Sequence, residues 1–115
     1  MVIEITGIVG HTRTEPERAV VSLGETVRWI VRAGGNGAKS IEWQVYFRQG
    51  SPFREHSWKM TTEGKSENDD AAHAGVIDAG ETQQPGEYKY GVRAVDTSTN
   101  QELSDDDPFL IVRFR

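Results

Sequence analysis

Apolar residues in this chain recur at every second position and almost nowhere at every third or fourth, a pattern that excludes most helical folds. In Glu25–Ala33, Val27, Trp29, Val31 and Ala33 share one face while Arg28, Ile30 and Arg32 take the other. In Lys39–Arg48, Ile41, Trp43, Val45 and Phe47 alternate with Glu42, Gln44 and Tyr46. In Glu87–Asp96, Tyr88, Tyr90, Val92 and Ala94 alternate with Lys89, Gly91, Arg93 and Val95. Successive strand side chains point to opposite sides of a sheet, so each segment reads as a strand with one buried face. Val2–Val9, Arg18–Leu23, Ser57–Thr62, Ala74–Ala79 and Pro108–Phe114 are further strand candidates.

The breaks between these runs have their own chemistry. Leu23-Gly24-Glu25 joins two runs at a glycine, which tolerates positive φ. Gly34-Gly35-Asn36-Gly37 reads as a hairpin-like tip, Pro85-Gly86 opens the tyrosine-rich run, and Asp96–Asn100 is a polar turn. Glu63–Ala72 is polar and acidic, a short helical turn or a loop. About eight short strands without a helix predict an all-β fold, an antiparallel Greek-key β-sandwich, with residues 1–115 as one domain.

Composition narrows the function classes. Thirteen basic against 18 acidic residues leave a net charge of −5, which argues against nucleic acid as a partner, because phosphate backbones select clustered Lys and Arg. There is no cysteine, so disulfides, thiolate metal sites and cysteine nucleophiles are excluded. No apolar run approaches the roughly 18 residues of a membrane span, so no membrane partner is expected. A full-length product with this sequence is expected in the cytoplasm.

Three segments, in order, resemble the cupredoxin-like family. Pro16 to Trp29 looks like its opening proline, strand, Gly-Glu turn and Val-x-Trp. Pro85-Gly86-Glu87-Tyr88-Lys89-Tyr90 is similar to its penultimate-strand entry, and Asp107-Pro108-Phe109-Leu110-Ile111-Val112 to the ending of small bacterial members. The first two signatures also occur in immunoglobulin-like domains, the alternative fold. The resemblance implies a copper centre of two His, a Cys and a weak Met, a ligand set suited to electron transfer. Carried onto this chain, the thiolate falls at Val92, the second His at Val95 and the first near Ser40 or Ile41. Met60 precedes that strand and cannot supply the axial ligand. The resemblance therefore implies the fold without copper, and no cofactor is expected.

Other residues carry weaker signals. His11, His56 and His73 lie in separate predicted loops without the paired spacing of a zinc site, and surface histidines are the ordinary reading. Glu67-Asn68-Asp69-Asp70 and Asp105-Asp106-Asp107 lack the alternating ligands of a calcium loop; Asp107 is placed to fix the turn before Pro108. Pro52–Trp58 concentrates Phe53, Arg54, His56 and Trp58, residue types enriched at binding hot spots. The competing reading has Phe53 and Trp58 plugging one end of the core and leaves Arg54 in water. Trp29 and Trp43 read as core; Arg28, Arg32, Arg48, Arg93 and Arg113 read as solvent-facing. No nucleophile elbow, zinc-protease motif or phosphate loop is present, so an enzyme is not expected.

The function expected from these features is a non-catalytic, metal-free module that binds another protein, or a second copy of itself, through a sheet face, a sheet edge or the Pro52–Trp58 loop. Two alternatives stand beside it: a copper or zinc protein using His11, His56 and His73, and a small-ligand or carbohydrate binder using Phe53, Trp58 or Tyr46.

Overall fold

The computed structural model describes residues 1–8, 11–33, 40–63, 73–97 and 100–114. Within them lie eleven strands and no helix: β1 (Val2–Ile8), β2 (His11–Glu15), β3 (Arg18–Ser22), β4 (Thr26–Ala33), β5 (Ser40–Tyr46), β6 (Ser57–Glu63), β7 (His73–Glu81), β8 (Gly86–Lys89), β9 (Gly91–Asp96), β10 (Gln101–Asp106) and β11 (Phe109–Arg113). The period-two runs all become strands, because each can turn its apolar row inward and satisfy its backbone through neighbours.

They form three sheets, ordered β2-β1-β4-β7, β10-β9-β5-β6 and β3-β11-β8. The first two stack face to face, with β6 beside β7 at one side and β10 beside β2 at the other. Between them Ile3, Ile5, Trp29 and Val31 meet Ile41, Trp43, Val45, Val92 and Ala94, all at most 1% exposed. The third sheet adds Ala19, Val21, Leu110 and Val112 to the same core.

Several expectations change. The ladders are mostly antiparallel, but β1 pairs with β4 and β11 with β3 in parallel, since each pair is joined through intervening strands rather than a tight turn. Gly34–Gly37, read as a hairpin-like tip, lies outside the described residues; the strands on either side do not pair with each other, β4 lying between β1 and β7 and β5 between β6 and β9. The tyrosine-rich run is two strands. β8 joins β11 in the third sheet, β9 joins β5 in the second, and Tyr90 sits at the switch with its N–H donated to the Pro108 carbonyl at 3.0 Å. Two strands carry too few apolar residues to be read from sequence, β2 and β10; both are held by pairing with a neighbour. Glu63 ends β6, and the rest of the acidic segment, with Glu67–Asp70, lies outside the described residues.

The surface arginines are where alternation puts them. Arg28, Arg32, Arg48, Arg93 and Arg113 are all exposed.

Candidate functional site

The positions onto which copper ligands would fall lie on β9 and β5. Val92 is buried and pairs with Val45; Val95 pairs with Glu42 and is half-buried on the opposite face. In an unbroken strand, residues three apart project to opposite sides of the sheet, so no single ion can be reached from both positions. Alternation set Val92 on the inward row and Val95 on the outward one, and the strand keeps that division. Ile41 pairs with Asp96, four residues along β9 from Val92. After Val95 the chain keeps its ladder and returns as β10, with a bulge between Glu102 and Ser104 and a left-handed residue, Asn100, in the turn. Antiparallel pairing of β9 with β10 therefore continues past the positions from which a ligand-bearing loop would depart. Apolar Val92, Val95 and Ile41 offer no donor to copper, and the residues present do not fit that ion.

The three histidines do not share a site either. His73 pairs with Ala33 and His11 with Ile8, at the end of the first sheet from which the 34–39 connection departs. Two strands stand between them, roughly 14 Å of backbone at strand spacing. His56 lies at the other end of the molecule, next to Ser57, which pairs with Tyr46. Among the described residues no group of three metal-ligating side chains converges.

At that other end the aromatic residues close the core. Phe53 is buried and Trp58 half-buried; their rings lie 5.9 and 5.4 Å from Trp29, and 5.6 Å from each other. Phe47 and Tyr90 complete the plug, stacked at 4.9 Å. Of the hot-spot residues in the Pro52–Trp58 loop, then, Phe53 and Trp58 face the core, while Arg54 and His56 are exposed. Ser51 orders the loop, accepting the Phe53 N–H at 3.0 Å and donating its hydroxyl to the Glu55 carbonyl at 2.7 Å. Deeper in the plug the Trp29 indole donates to the Tyr90 hydroxyl at 3.2 Å. Burial holds the Tyr90 phenol well above its ordinary value, against the smaller opposing effect of that bond.

Above the plug, on the outer face of the second sheet, lies a concave region around Tyr46 and Arg48. Tyr46 on β5 faces Gly91 on β9, and its ring occupies the space a Cβ at Gly91 would need. The ring is thereby laid against the backbone, and the Arg48 guanidinium sits over it at 4.8 Å, with a long bond to its hydroxyl at 3.4 Å. Two hollows share Tyr46 and Arg48 as a common wall. One, of about 240 Å³, is completed by Gln49, Lys89, Tyr90, Gly91 and Asp107. The other, of about 410 Å³, is completed by Gln44, Phe47, His56, Ser57, Arg93 and Glu102. Phe53 and Trp58 line neither.

The charges here are loosely paired. Arg93 meets Glu102 at 3.3 Å and Lys89 meets Asp107 at 4.0 Å, all four side chains more than two-fifths exposed, so each pair is weak. The turn before Pro108 is fixed by Asp106 rather than Asp107: its carboxylate accepts the N–H groups of Asp107 and Thr14, both at 3.1 Å. Sequence periodicity alone showed Tyr46 and Arg93 on outward positions; the signal that they meet is the Gly91 opposite Tyr46, which only the strand register reveals.

No protein-family model matches this sequence, and no curated protein matches it closely. Solved structures do match in fold. A purple cupredoxin from Nitrosopumilus maritimus aligns over 97% of this chain and 98% of its own, with 13% identity and a TM-score of 0.51. A reduced auracyanin from Roseiflexus castenholzii aligns over 97% of this chain and 96% of its own, with 12% identity and a TM-score of 0.51. A plastocyanin from Dryopteris crassirhizoma aligns over 98% of this chain at 19% identity and a TM-score of 0.49. Identities this low speak to architecture and not to activity. With eleven strands around one core among the described residues, and the purple cupredoxin and the auracyanin aligning over nearly the whole length, the chain has the cupredoxin-like β-sandwich fold.

Proposed function

We propose that this chain is a non-catalytic, metal-free binding module that engages another protein through the end of the sandwich bearing Arg54, His56 and the Tyr46–Arg48 hollows. The observation that supports this reading is Val92, an apolar side chain packed in the core where the fold's thiolate would stand, on a strand that continues into the β9–β10 pairing. What the fold then offers is surface: a face with exposed cations and an ordered aromatic platform, residue types that anchor protein interfaces. Among the described residues no helix is long and apolar enough to cross a membrane.

Two measurements test it. Protein equilibrated with copper or zinc and then dialysed should retain no stoichiometric metal; one ion per chain would overturn the metal-free reading. Once a partner is in hand, Arg54→Ala with His56→Ala should weaken binding without lowering stability, since both side chains are exposed. Unchanged affinity would remove the loop from the interface. A second reading, a small-ligand site, draws support from the larger hollow beside Tyr46. Saturable binding of a neutral sugar that quenches tyrosine fluorescence would favour it over a protein partner.

A further inference from the structure

We propose that the Tyr46–Arg48 ridge anchors an acidic segment of the partner protein, its carboxylates gripped on either side by the two hollows. This deepens the binding-module reading and rests on it.

Ion pairs join Arg18 to Glu87, Arg28 to Asp78, Lys89 to Asp107, Arg93 to Glu102, and the Met1 ammonium to Glu25, and Arg48 is in none of these five. Its guanidinium is nevertheless held, stacked on a ring that Gly91 allows to lie against the sheet. An arginine oriented by an aromatic face keeps its N–H edges available for the fork-like recognition of a carboxylate. Ordering of its side chain is part of the cost of binding, and here the stack has already met it.

The surroundings favour the same charge. Lys89 enters one hollow and Arg93 the other, so each carries a second cation beside Arg48. Their own carboxylate partners are distant or exposed and exchange readily with an incoming one. This concentration of cations stands out on a chain whose net charge is −5, and it would steer an acidic partner to this end. Two adjoining hollows divided by a ridge suit two side chains of one extended segment. The smaller, at about 240 Å³, lies below the range usual for a drug-sized ligand. Asp107 and Glu102 among the cations disfavour a phosphate backbone, which needs an uninterrupted basic track.

The test is a titration of the intact chain, followed by backbone amide NMR, with acetyl-hexaglutamate amide as the probe and acetyl-hexaglutamine amide as control. The expected result is saturable shifts at Tyr46, Arg48 and Gly91 with the acidic peptide alone, weakening as salt is raised. Arg48→Gln should lower the affinity about tenfold, the loss of one charge-assisted contact, with an unchanged melting temperature because Arg48 is exposed. Shifts elsewhere, equal binding of the glutamine peptide, equal affinity in the variant, or tighter binding of glutarate or an oligothymidylate than of the peptide would each overturn the inference. Those outcomes leave the metal-free module standing, whereas copper retained after dialysis sinks that reading without bearing on the peptide titration.

Discussion

Replacing Tyr90 by Phe tests the floor of the candidate site and the core together. The phenol is 2% exposed and its oxygen accepts the indole N–H of Trp29, itself fully buried. Tyr90→Phe leaves that N–H without a partner, at a cost of about 1–3 kcal/mol near neutral pH. The pH dependence makes the prediction specific. An ordinary phenol ionises near pH 10, whereas burial raises the value for Tyr90 in the folded chain. Below about pH 10 the phenol is neutral in both states and stability does not depend on it. Above that, the unfolded chain releases this proton and the folded chain does not, so stability falls as pH rises toward the folded value, by about 1.4 kcal/mol one unit above the unfolded value. The phenylalanine variant lacks this loss. Urea unfolding followed by tryptophan fluorescence, at pH values from about 7 to about 11, should show the gap between the two proteins narrowing by about 1.4 kcal/mol at the alkaline end. A gap of constant size would refute the buried, neutral phenol on which the reasoning depends.

Three further outcomes follow from the geometry. Thr62→Val removes the acceptor of the buried Trp43 indole, now bonded at 2.9 Å, and should cost about 1–3 kcal/mol in chemical unfolding, against almost nothing for Thr61→Val on the exposed side of β6. Gly91→Ala drives the Tyr46 ring off the sheet; because the added Cβ meets the outer end of that ring and no backbone, stability should fall by no more than about 1 kcal/mol, while acetyl-hexaglutamate affinity drops as far as in Arg48→Gln. Val92→Cys combined with Val95→His should create no copper–thiolate absorption band, since the two positions face opposite sides of β9; an intense visible band on adding copper would contradict that register.

Much of the architecture could be read from alternation alone. The runs expected at Glu25–Ala33, Lys39–Arg48 and Pro108–Phe114 became strands within a residue or two of those bounds, whereas Glu87–Asp96 divided into β8 and β9. The failures share a cause. Gln101–Asp106 has the residues of a loop and forms β10 only because β9 presents an open ladder beside it, so tertiary pairing overrides local preference. β4 and β5 do not pair although glycines separate them, because glycine content reports what a turn permits, not which sheet the next strand joins. At the candidate site, sequence marked Phe53, Arg54, His56 and Trp58 together by proximity along the chain. Folding divides them, since Phe53 and Trp58 pack on Trp29 and the other two stay in water.

The amino-acid order by itself determined that this chain would be a β-sandwich and that thiolate chemistry was closed to it, because strand periodicity and the absence of cysteine are properties of the covalent chain. Only the tertiary structure decided that Val92 and Val95 part to opposite faces, and that Tyr46 settles on Gly91 to carry Arg48. Those outcomes depend on register between strands distant in sequence, where a slip of one residue exchanges inside for outside.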